Sequence, residues 1–187
     1  MTSDTKTALL DVAEHAARAR GFDGFSYADL AEAVGIRKAS IHYHFPTKAA
    51  LSAALMGRYH ETLQAECNRI RLEHKTGAEQ LLALIDLYRH ALNDGKTLCL
   101  CVSLISSRES LSDDVIQKIR KFRAMMVTQI EEILKLGQED KSITGITDPT
   151  SESRAVLALL EGAHLTARAE ENVNTFDEAL GVLKSRC

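Results

Sequence analysis

Residues 25–48 read FSYADLAEAVGIRKASIHYHFPTK and carry the clearest structural signals in the chain. Ser26 with Asp29 three positions later is typical of a helix start, because the hydroxyl accepts a backbone N–H and the carboxylate favours the positive end of the helix. Apolar residues then recur at helical spacing until Gly35, which can end a helix in a left-handed conformation. The pattern predicts a short helix that starts at Tyr27 and ends at this glycine.

A second short helix is predicted directly after the glycine, over residues 37–45, and Pro46 stops it. Its apolar members Ile41 and Phe45 lie four positions apart, so they share one side of the helix. The remaining positions carry mainly basic, hydroxyl or aromatic side chains. Two short helices joined by a glycine turn predict a helix-turn-helix, whose second helix lies in the major groove of DNA.

The charge of this part of the chain favours binding to a polyanion. Residues 33–60 contain no Asp or Glu, although the whole chain has a formal charge of −3. The same span contains four basic side chains and three histidines: Arg37, Lys38, Lys48, Arg58, His42, His44 and His60. Phosphate oxygens repel carboxylates, and each phosphate that a basic group neutralises releases counterions. The segment therefore predicts a DNA-binding surface.

The residues around the glycine turn also resemble a known family. A likeness to the recognition-helix region of TetR-type transcriptional regulators covers residues 34–51, VGIRKASIHYHFPTKAAL. The likeness extends back through residues 26–35, SYADLAEAVG. One position departs from the pattern, because His42 stands where the family commonly has a tyrosine, and Tyr43 follows it.

This resemblance implies a fold, a set of partners and a function. We expect an all-α fold of about nine helices, with an N-terminal three-helix helix-turn-helix DNA-binding domain in residues 1–47 and a C-terminal helical ligand-binding and dimerisation domain in residues 48–187. The implied partners are a palindromic double-stranded DNA operator, a second copy bound through the last two helices, and an unidentified small-molecule effector. The implied function is that of a repressor released from its operator by the small molecule or by cysteine modification.

Composition independently favours a packed helical protein. Apolar residues make up 45% of the 187 residues, while the chain has only two prolines and no tryptophan. Its longest strongly apolar stretch, residues 98–105, is far shorter than the roughly 20 residues that span a bilayer. Since the N-terminus also lacks the pattern of a secretory signal and four cysteines suit a reducing compartment, we expect a cytoplasmic protein.

Two features of the second half bear on fold and assembly. Residues 97–107, TLCLCVSLISS, fit a strand by their alternation, but the helical context favours a buried sixth helix. Asp148 followed by Pro149 predicts the start of an eighth helix, whose apolar residues extend beyond one narrow stripe. Because helix-turn-helix proteins bind two half-sites roughly 34–36 Å apart, the additional apolar face predicts a two-fold homodimer.

Eight residues are predicted to serve DNA binding by their position in the motif: Ser26, Tyr27, Arg37, Lys38, Ser40, His42, Tyr43 and Lys48. Arg37 or Lys38 can donate to guanine O6 and N7. His42 and Tyr43 suit phosphates or thymine methyl groups. Ser26 and Lys48 lie at predicted helix starts, where backbone N–H groups favour phosphate.

Candidate effector-binding residues are those that an amphipathic core would not otherwise need. They are Tyr88, His90, Met125, Met126, Glu161, His164 and Arg168. A structural role competes for each of them, since methionine fills irregular cores and charged side chains lie on surfaces.

Cys99 and Cys101 are candidate redox sensors. The segment that contains them, GKTLCLC, resembles the corresponding region of NemR-like TetR regulators, which respond to electrophiles and oxidants through cysteine. Residues two apart on a helix point about 200° away from each other, so the pair is poorly placed for a shared metal or a disulfide. The alternatives are single-thiol chemistry and two small hydrophobic side chains in the core.

Enzymatic function is not expected from this sequence. It contains no Walker phosphate loop, dinucleotide glycine motif, HExxH or nucleophile elbow, and we expect no catalytic residue, cofactor or metal. The remaining alternative to a regulator is a helical adaptor whose basic segment is only a solvated surface. Sequence-specific binding in the presence of excess nonspecific DNA separates the two.

Overall fold

The computed structural model describes residues 2–187, with side chains from residue 5 onward. Within this part of the chain the secondary structure is nine α-helices and one short 3-10 helix, Arg108–Ser110, with no β-strand. The helices are α1 Thr2–Arg20, α2 Tyr27–Val34, α3 Lys38–His44, α4 Lys48–Glu73, α5 Gly77–Ala91, α6 Leu100–Ile105, α7 Asp113–Glu139, α8 Pro149–Glu170 and α9 Val173–Lys184. The all-α prediction is confirmed.

The chain divides into two compact units. The first contains residues up to Glu61 together with Leu100–Phe122, and the second contains Thr62–Cys99 together with Arg123–Cys187. The helix-turn-helix therefore shares its unit with α6 and the beginning of α7, which come from the second half of the sequence.

The first unit is built around apolar side chains of α1 to α4 and of the loop between α1 and α2. The buried set includes Leu9, Ala13, Phe22, Phe25, Leu30, Ile41, Leu51 and Leu55. Helix α6 packs against α1, and the buried hydroxyl of Ser103 donates a hydrogen bond of 2.5 Å to the carbonyl oxygen of Ala17. Helix α1 thus contacts both α2 and α6, which comes from the second half of the sequence.

The second unit is held partly by a close approach of two glycines. A Cβ atom on Gly77 would lie 2.2 Å from the backbone nitrogen of Gly137, so only glycine lets the start of α5 pack against the end of α7. Asp140 and Ser142 then accept hydrogen bonds from the first backbone N–H groups of α5, at 2.8 and 2.9 Å. Helices α8 and α9 pack along each other in the same unit.

Residues 100–105 of the ambiguous segment are helical and Cys99 lies before them, so the strand alternative is wrong. Helix α6 is nevertheless short, because Thr97 is held in the preceding turn by its hydroxyl, which donates to the Ala91 carbonyl oxygen at 2.8 Å. Asp148 and Pro149 begin α8 as predicted. Among the described helices, none combines the length and apolar character that crossing a membrane requires.

Candidate nucleic-acid interface

The turn between α2 and α3 has the geometry that its sequence predicts. Ser26 accepts a hydrogen bond from the backbone N–H of Asp29, and the Asp29 carboxylate accepts one from the backbone N–H of Ser26 at 2.7 Å. This second bond is the main reason why the pKa of Asp29 lies below its ordinary value. Gly35 has φ +73°, a left-handed conformation that few other residues adopt without strain. The capping box and the glycine set where α2 begins and ends.

Helix α3 is tied to α2 by Tyr27, which lies in the core rather than on the surface. Its buried hydroxyl donates to the carbonyl oxygen of Phe45 at 2.9 Å. Burial raises the pKa of Tyr27 to about 12, so the hydroxyl keeps its proton and remains a donor. Tyr27 therefore supports α3. Its contact with DNA stays a prediction, and its hydroxyl already donates a hydrogen bond within the protein.

The outer face of α3 carries the other predicted contacts. Arg37, Lys38, His42 and Tyr43 are exposed, with Tyr43 at 80% of its full accessible area, and Ser40 is half-buried. Ile41 is fully buried beneath them. Exposed guanidinium, ammonium, imidazole and phenol groups on one short helix form a surface that can donate hydrogen bonds to phosphates and base edges.

Lys48 has a different environment from these residues, although it begins α4 as predicted. Its ammonium nitrogen donates to the carbonyl oxygen of Phe25 at 2.5 Å. The same nitrogen lies 4.7 Å from the ring centre of Phe22 and 4.3 Å from that of Phe25. Burial lowers the pKa of Lys48, while the nearby carboxylates of Asp23 and Asp29 act in the opposite direction. Lys48 thus braces the loop before α2 as well as carrying a charge.

Two basic residues of the first unit could not be interpreted from sequence spacing alone. Arg58 belongs to the acid-free segment, yet its guanidinium is paired with Asp11 at 2.6 Å and Glu14 at 2.8 Å on α1. Its charge is therefore largely neutralised. Lys6 was not among the predicted contacts, but its ammonium nitrogen lies 5.9 Å from the ring centre of Phe45, at the end of α3. Only the tertiary structure brings these partners together.

Among the candidate effector-binding residues of the second unit, Tyr88 and His164 lie together. His164 is fully buried, its ring centre is 5.4 Å from that of Tyr88, and Phe176 lies on it at 5.5 Å. Its Nδ1 accepts from the backbone N–H of Cys99 at 3.1 Å, and its Nε2 is 2.9 Å from the carbonyl oxygen of Tyr88. Since a carbonyl oxygen only accepts, Nε2 carries the proton. His164 thereby joins α8 to α5 and to the segment before α6.

The other candidates are more dispersed. Met126 is buried and Met125 is half-buried. Arg168 pairs with Glu171 at 3.1 Å near the end of α8. The buried carboxylate of Glu161 accepts hydrogen bonds from Arg123 on α7, an ion pair that links α7 to α8.

Two cavities of the second unit bear on the search for an effector site. A groove of about 570 Å³ follows α5 and the end of α4, and His90 lines it together with Arg69, His74, Glu79, Leu82, Ala83, Asp86 and Leu87. A cavity of about 20 Å³ lies between α4, α5 and α7, beside Cys67 and Gln80. Within the part of the chain that the structure describes, neither cavity is lined by Tyr88, Met125, Met126, His164 or Arg168.

The cysteine thiols differ in accessibility. Cys99 and Cys101 are buried, Cys67 is buried with its pKa raised by desolvation to about 11, and Cys187 is exposed. A buried thiol with a raised pKa is a poor nucleophile. Within the described residues, no three His, Cys, Asp or Glu side chains are grouped so that they could hold a metal ion.

Comparison with known proteins shows which family this chain resembles. The sequence model of the family described as bacterial regulatory proteins, tetR family, matches residues 9–55. The HTH-type transcriptional repressor NemR of Escherichia coli K12 is 24% identical, over 97% of this chain and 93% of NemR. The nucleoid occlusion factor SlmA of Vibrio atlanticus is 30% identical, over 79% of this chain and 70% of SlmA. The chain belongs to the TetR family. Among the functions considered from sequence, the comparisons support a DNA-binding regulator and do not favour a helical adaptor.

Solved structures of TetR-family regulators share this fold along the whole chain. A TetR-family regulator from Agrobacterium tumefaciens is 26% identical and superimposes with a TM-score of 0.94, covering 100% of this chain and 98% of that one. The reduced form of E. coli NemR is 23% identical, with a TM-score of 0.82 and coverage of 97% and 96%. Both relatives are transcriptional regulators.

Proposed function

We propose that this TetR-family regulator is a transcriptional repressor that binds a palindromic operator as a homodimer and is released by a small-molecule effector. The observation that carries the proposal is the exposed, carboxylate-free face of α3, fixed from below by Ile41 and by the hydroxyl of Tyr27. The repressor function of NemR supports the direction of regulation. Release through modification of Cys99 or Cys101 is the second route that we consider.

The proposed DNA contacts divide into two groups. Ser26, Arg37, Lys38, Ser40, His42 and Tyr43 are assigned to direct contact with phosphates or bases. Tyr27 and Lys48 are assigned chiefly to positioning α3 and the loop before α2, because both side chains donate to backbone carbonyl oxygens. Arg37 and Lys38 carry only donors and suit phosphate or guanine. We assign DNA contact to residues 1–47 and regulation and dimerisation to residues 48–187.

A two-fold dimer through α8 and α9 is proposed from their outer faces. Leu165 is 50% exposed and Val182 is 60% exposed. The exposed positions beside Leu165 on α8 include Ala155, Ala158, Thr166 and Ala169. Small side chains allow helices to approach closely, and two exposed aliphatic side chains supply apolar surface to bury. A dimer would present two copies of α3 to two half-sites.

The effector site is proposed within the second unit. Tyr88, Met125, Met126, His164 and Arg168 remain its candidate residues, and the first four provide aromatic, thioether and imidazole groups that suit an organic molecule. His164 already makes two hydrogen bonds to backbone groups, so an effector that displaced them would alter the segment before α6. Because Cys99 and Cys101 are buried, the small molecule is the favoured route of release.

Selection from a random pool of duplexes tests the proposed function. The expected product is an inverted repeat whose half-sites are centred about 10–10.5 base pairs, or a multiple of that spacing, apart. Binding to the selected duplex should survive an excess of nonspecific DNA in a gel-shift titration. A chain that enriches no common sequence, or whose binding disappears with the competitor, would not be a sequence-specific repressor.

A further inference from the structure

The exposed side chain of His42 on α3 makes two contacts with neighbouring residues. Its Nδ1 lies 3.3 Å from the carbonyl oxygen of Pro46, and its ring centre lies 4.9 Å from that of Tyr27 at an interplanar angle of 59°. Because a carbonyl oxygen only accepts hydrogen bonds, Nδ1 must carry a proton for this bond to form. The contact with Pro46 therefore selects the Nδ1–H form of the neutral ring.

The choice of form determines what the other ring nitrogen can bind. In the neutral ring with hydrogen on Nδ1, Nε2 has a lone pair and is an acceptor. The Tyr27 hydroxyl does not donate to Nε2, since its hydrogen is already donated to the carbonyl oxygen of Phe45. Phosphate oxygens are acceptors too, so they repel this lone pair. The bases present donors in the major groove, namely the amino groups adenine N6 and cytosine N4.

We propose that neutral His42 is a specificity-determining residue that accepts a hydrogen bond from the amino group of adenine or cytosine in the major groove. This inference rests on the proposed function and specifies the chemistry of one of its contacts. Arg37 and Lys38 lie exposed at the start of the same helix and carry donors alone. His42 thus places an acceptor beside two side chains that favour guanine and phosphate.

The first test compares duplexes selected from a random pool by the wild-type chain and by His42→Phe at pH 8.5. This substitution keeps a ring on α3 but removes both nitrogens, and thermal unfolding checks that the exposed change leaves the fold intact. We expect His42→Phe to lose the preference for adenine or cytosine at one position in each half-site, while the rest of the selected sequence is retained. A matched control is His15→Phe, because His15 is also exposed but lies on α1, outside the proposed DNA and effector contacts.

The second test removes the amino group from the DNA. Purine in place of the selected adenine, or 2-pyrimidinone in place of the selected cytosine, lacks the donor and leaves the ring. Wild type and His15→Phe should each bind the altered duplex about 5- to 100-fold more weakly than the original. His42→Phe should bind the two duplexes equally. The base that responds also distinguishes adenine from cytosine as the source of the amino group.

Three results would overturn the inference. The first is that His42→Phe selects the same bases as wild type and suffers the same loss on the altered duplex. The second is that it weakens binding equally for all duplexes and flattens the salt dependence, which would make His42 a phosphate contact. The third is that the wild-type chain enriches no sequence at all, in which case the proposed function fails together with this contact.

Discussion

Tyr27 donates its hydroxyl to the carbonyl oxygen of Phe45 at 2.9 Å, so the first residue of α2 holds the residue that ends α3. The two residues are 18 positions apart, and the bond is buried. Because α3 has only seven residues, its own backbone hydrogen bonds are too few to keep it helical in isolation. The orientation of its exposed face therefore depends on contacts such as this one.

Removing that hydroxyl should loosen α3 without removing a DNA contact. We expect Tyr27→Phe to lower the free energy of unfolding by about 1 kcal/mol, because a buried carbonyl oxygen loses its donor. Affinity for the selected duplex should fall with it. Urea unfolding and fluorescence anisotropy measure the two effects. Tyr43→Phe removes an exposed hydroxyl from the same helix, so its unfolding curve should match wild type. Equal stability of Tyr27→Phe and wild type would contradict the bracing role.

Tyr43 and Lys48 should respond differently to alanine substitution. Tyr43 is 80% exposed, so Tyr43→Ala should change the free energy of unfolding by less than about 0.5 kcal/mol while weakening DNA binding roughly tenfold. Lys48→Ala removes a hydrogen bond to Phe25 and contacts with two aromatic rings. It should therefore destabilise the chain by about 1–2 kcal/mol as well as weaken binding. Thermal melts with gel-shift titrations measure both, and identical melting temperatures for the two variants would refute this distinction.

Helix boundaries were predictable because the signals that set them are local. Ser26 and Asp29 lie within one turn of each other, and Asp148 lies next to Pro149, so neither start depends on the tertiary structure. Gly35 likewise ends α2 through its own backbone conformation.

The environments of individual side chains were not predictable in this way. The partner of Lys48 is 23 positions away, that of Arg58 is 47 positions away, and the N–H that His164 accepts is 65 positions away. Sequence spacing therefore counted Arg58 as a free positive charge, whereas α1 neutralises it. No periodicity within one helix reports such contacts.

His164 provides a test of whether a candidate effector residue is needed for the fold. His164→Leu removes the nitrogen that accepts from the Cys99 N–H and the N–H that donates to the Tyr88 carbonyl oxygen. We expect the free energy of unfolding to fall by about 2–5 kcal/mol. His164→Gln should lose less, because an amide can also donate and accept. Urea midpoints measure the order of the three proteins. If both variants were as stable as wild type, the hydrogen bonds of His164 would not be structural.

Thiol labelling distinguishes the two proposed routes of release. In the native chain at pH 7.5, N-ethylmaleimide should modify the exposed Cys187 first. Cys67 should react slowly, because burial raises its pKa to about 11 and leaves almost no thiolate, and its reactivity should increase as the pH rises towards that value. Cys99 and Cys101 should react only as the structure opens.

Mass spectrometry of timed samples locates the label, and Cys187→Ser should abolish the fast phase. Rapid labelling of Cys99 or Cys101, accompanied by loss of DNA affinity, would instead support release through cysteine. Labelling at Cys187 alone with unchanged DNA affinity would leave the small molecule as the effector.

Leu165 and Val182 should determine assembly if α8 and α9 form the dimer. In a two-fold interface every substitution occurs twice, so Leu165→Glu or Val182→Glu places two carboxylates in the buried surface. We expect at least about a 100-fold weaker association, because each charge loses water without gaining a partner.

Leu72→Glu is the matched control, since Leu72 is 86% exposed on α4 and lies outside the proposed interface. Sedimentation velocity should show monomers for the first two variants and dimers for the control. Because the half-site contacts of α3 are untouched, the monomeric variants should bind a single half-site as well as wild type and lose only the advantage of the paired site. A Leu165→Glu variant that sediments like Leu72→Glu would place the dimer interface elsewhere.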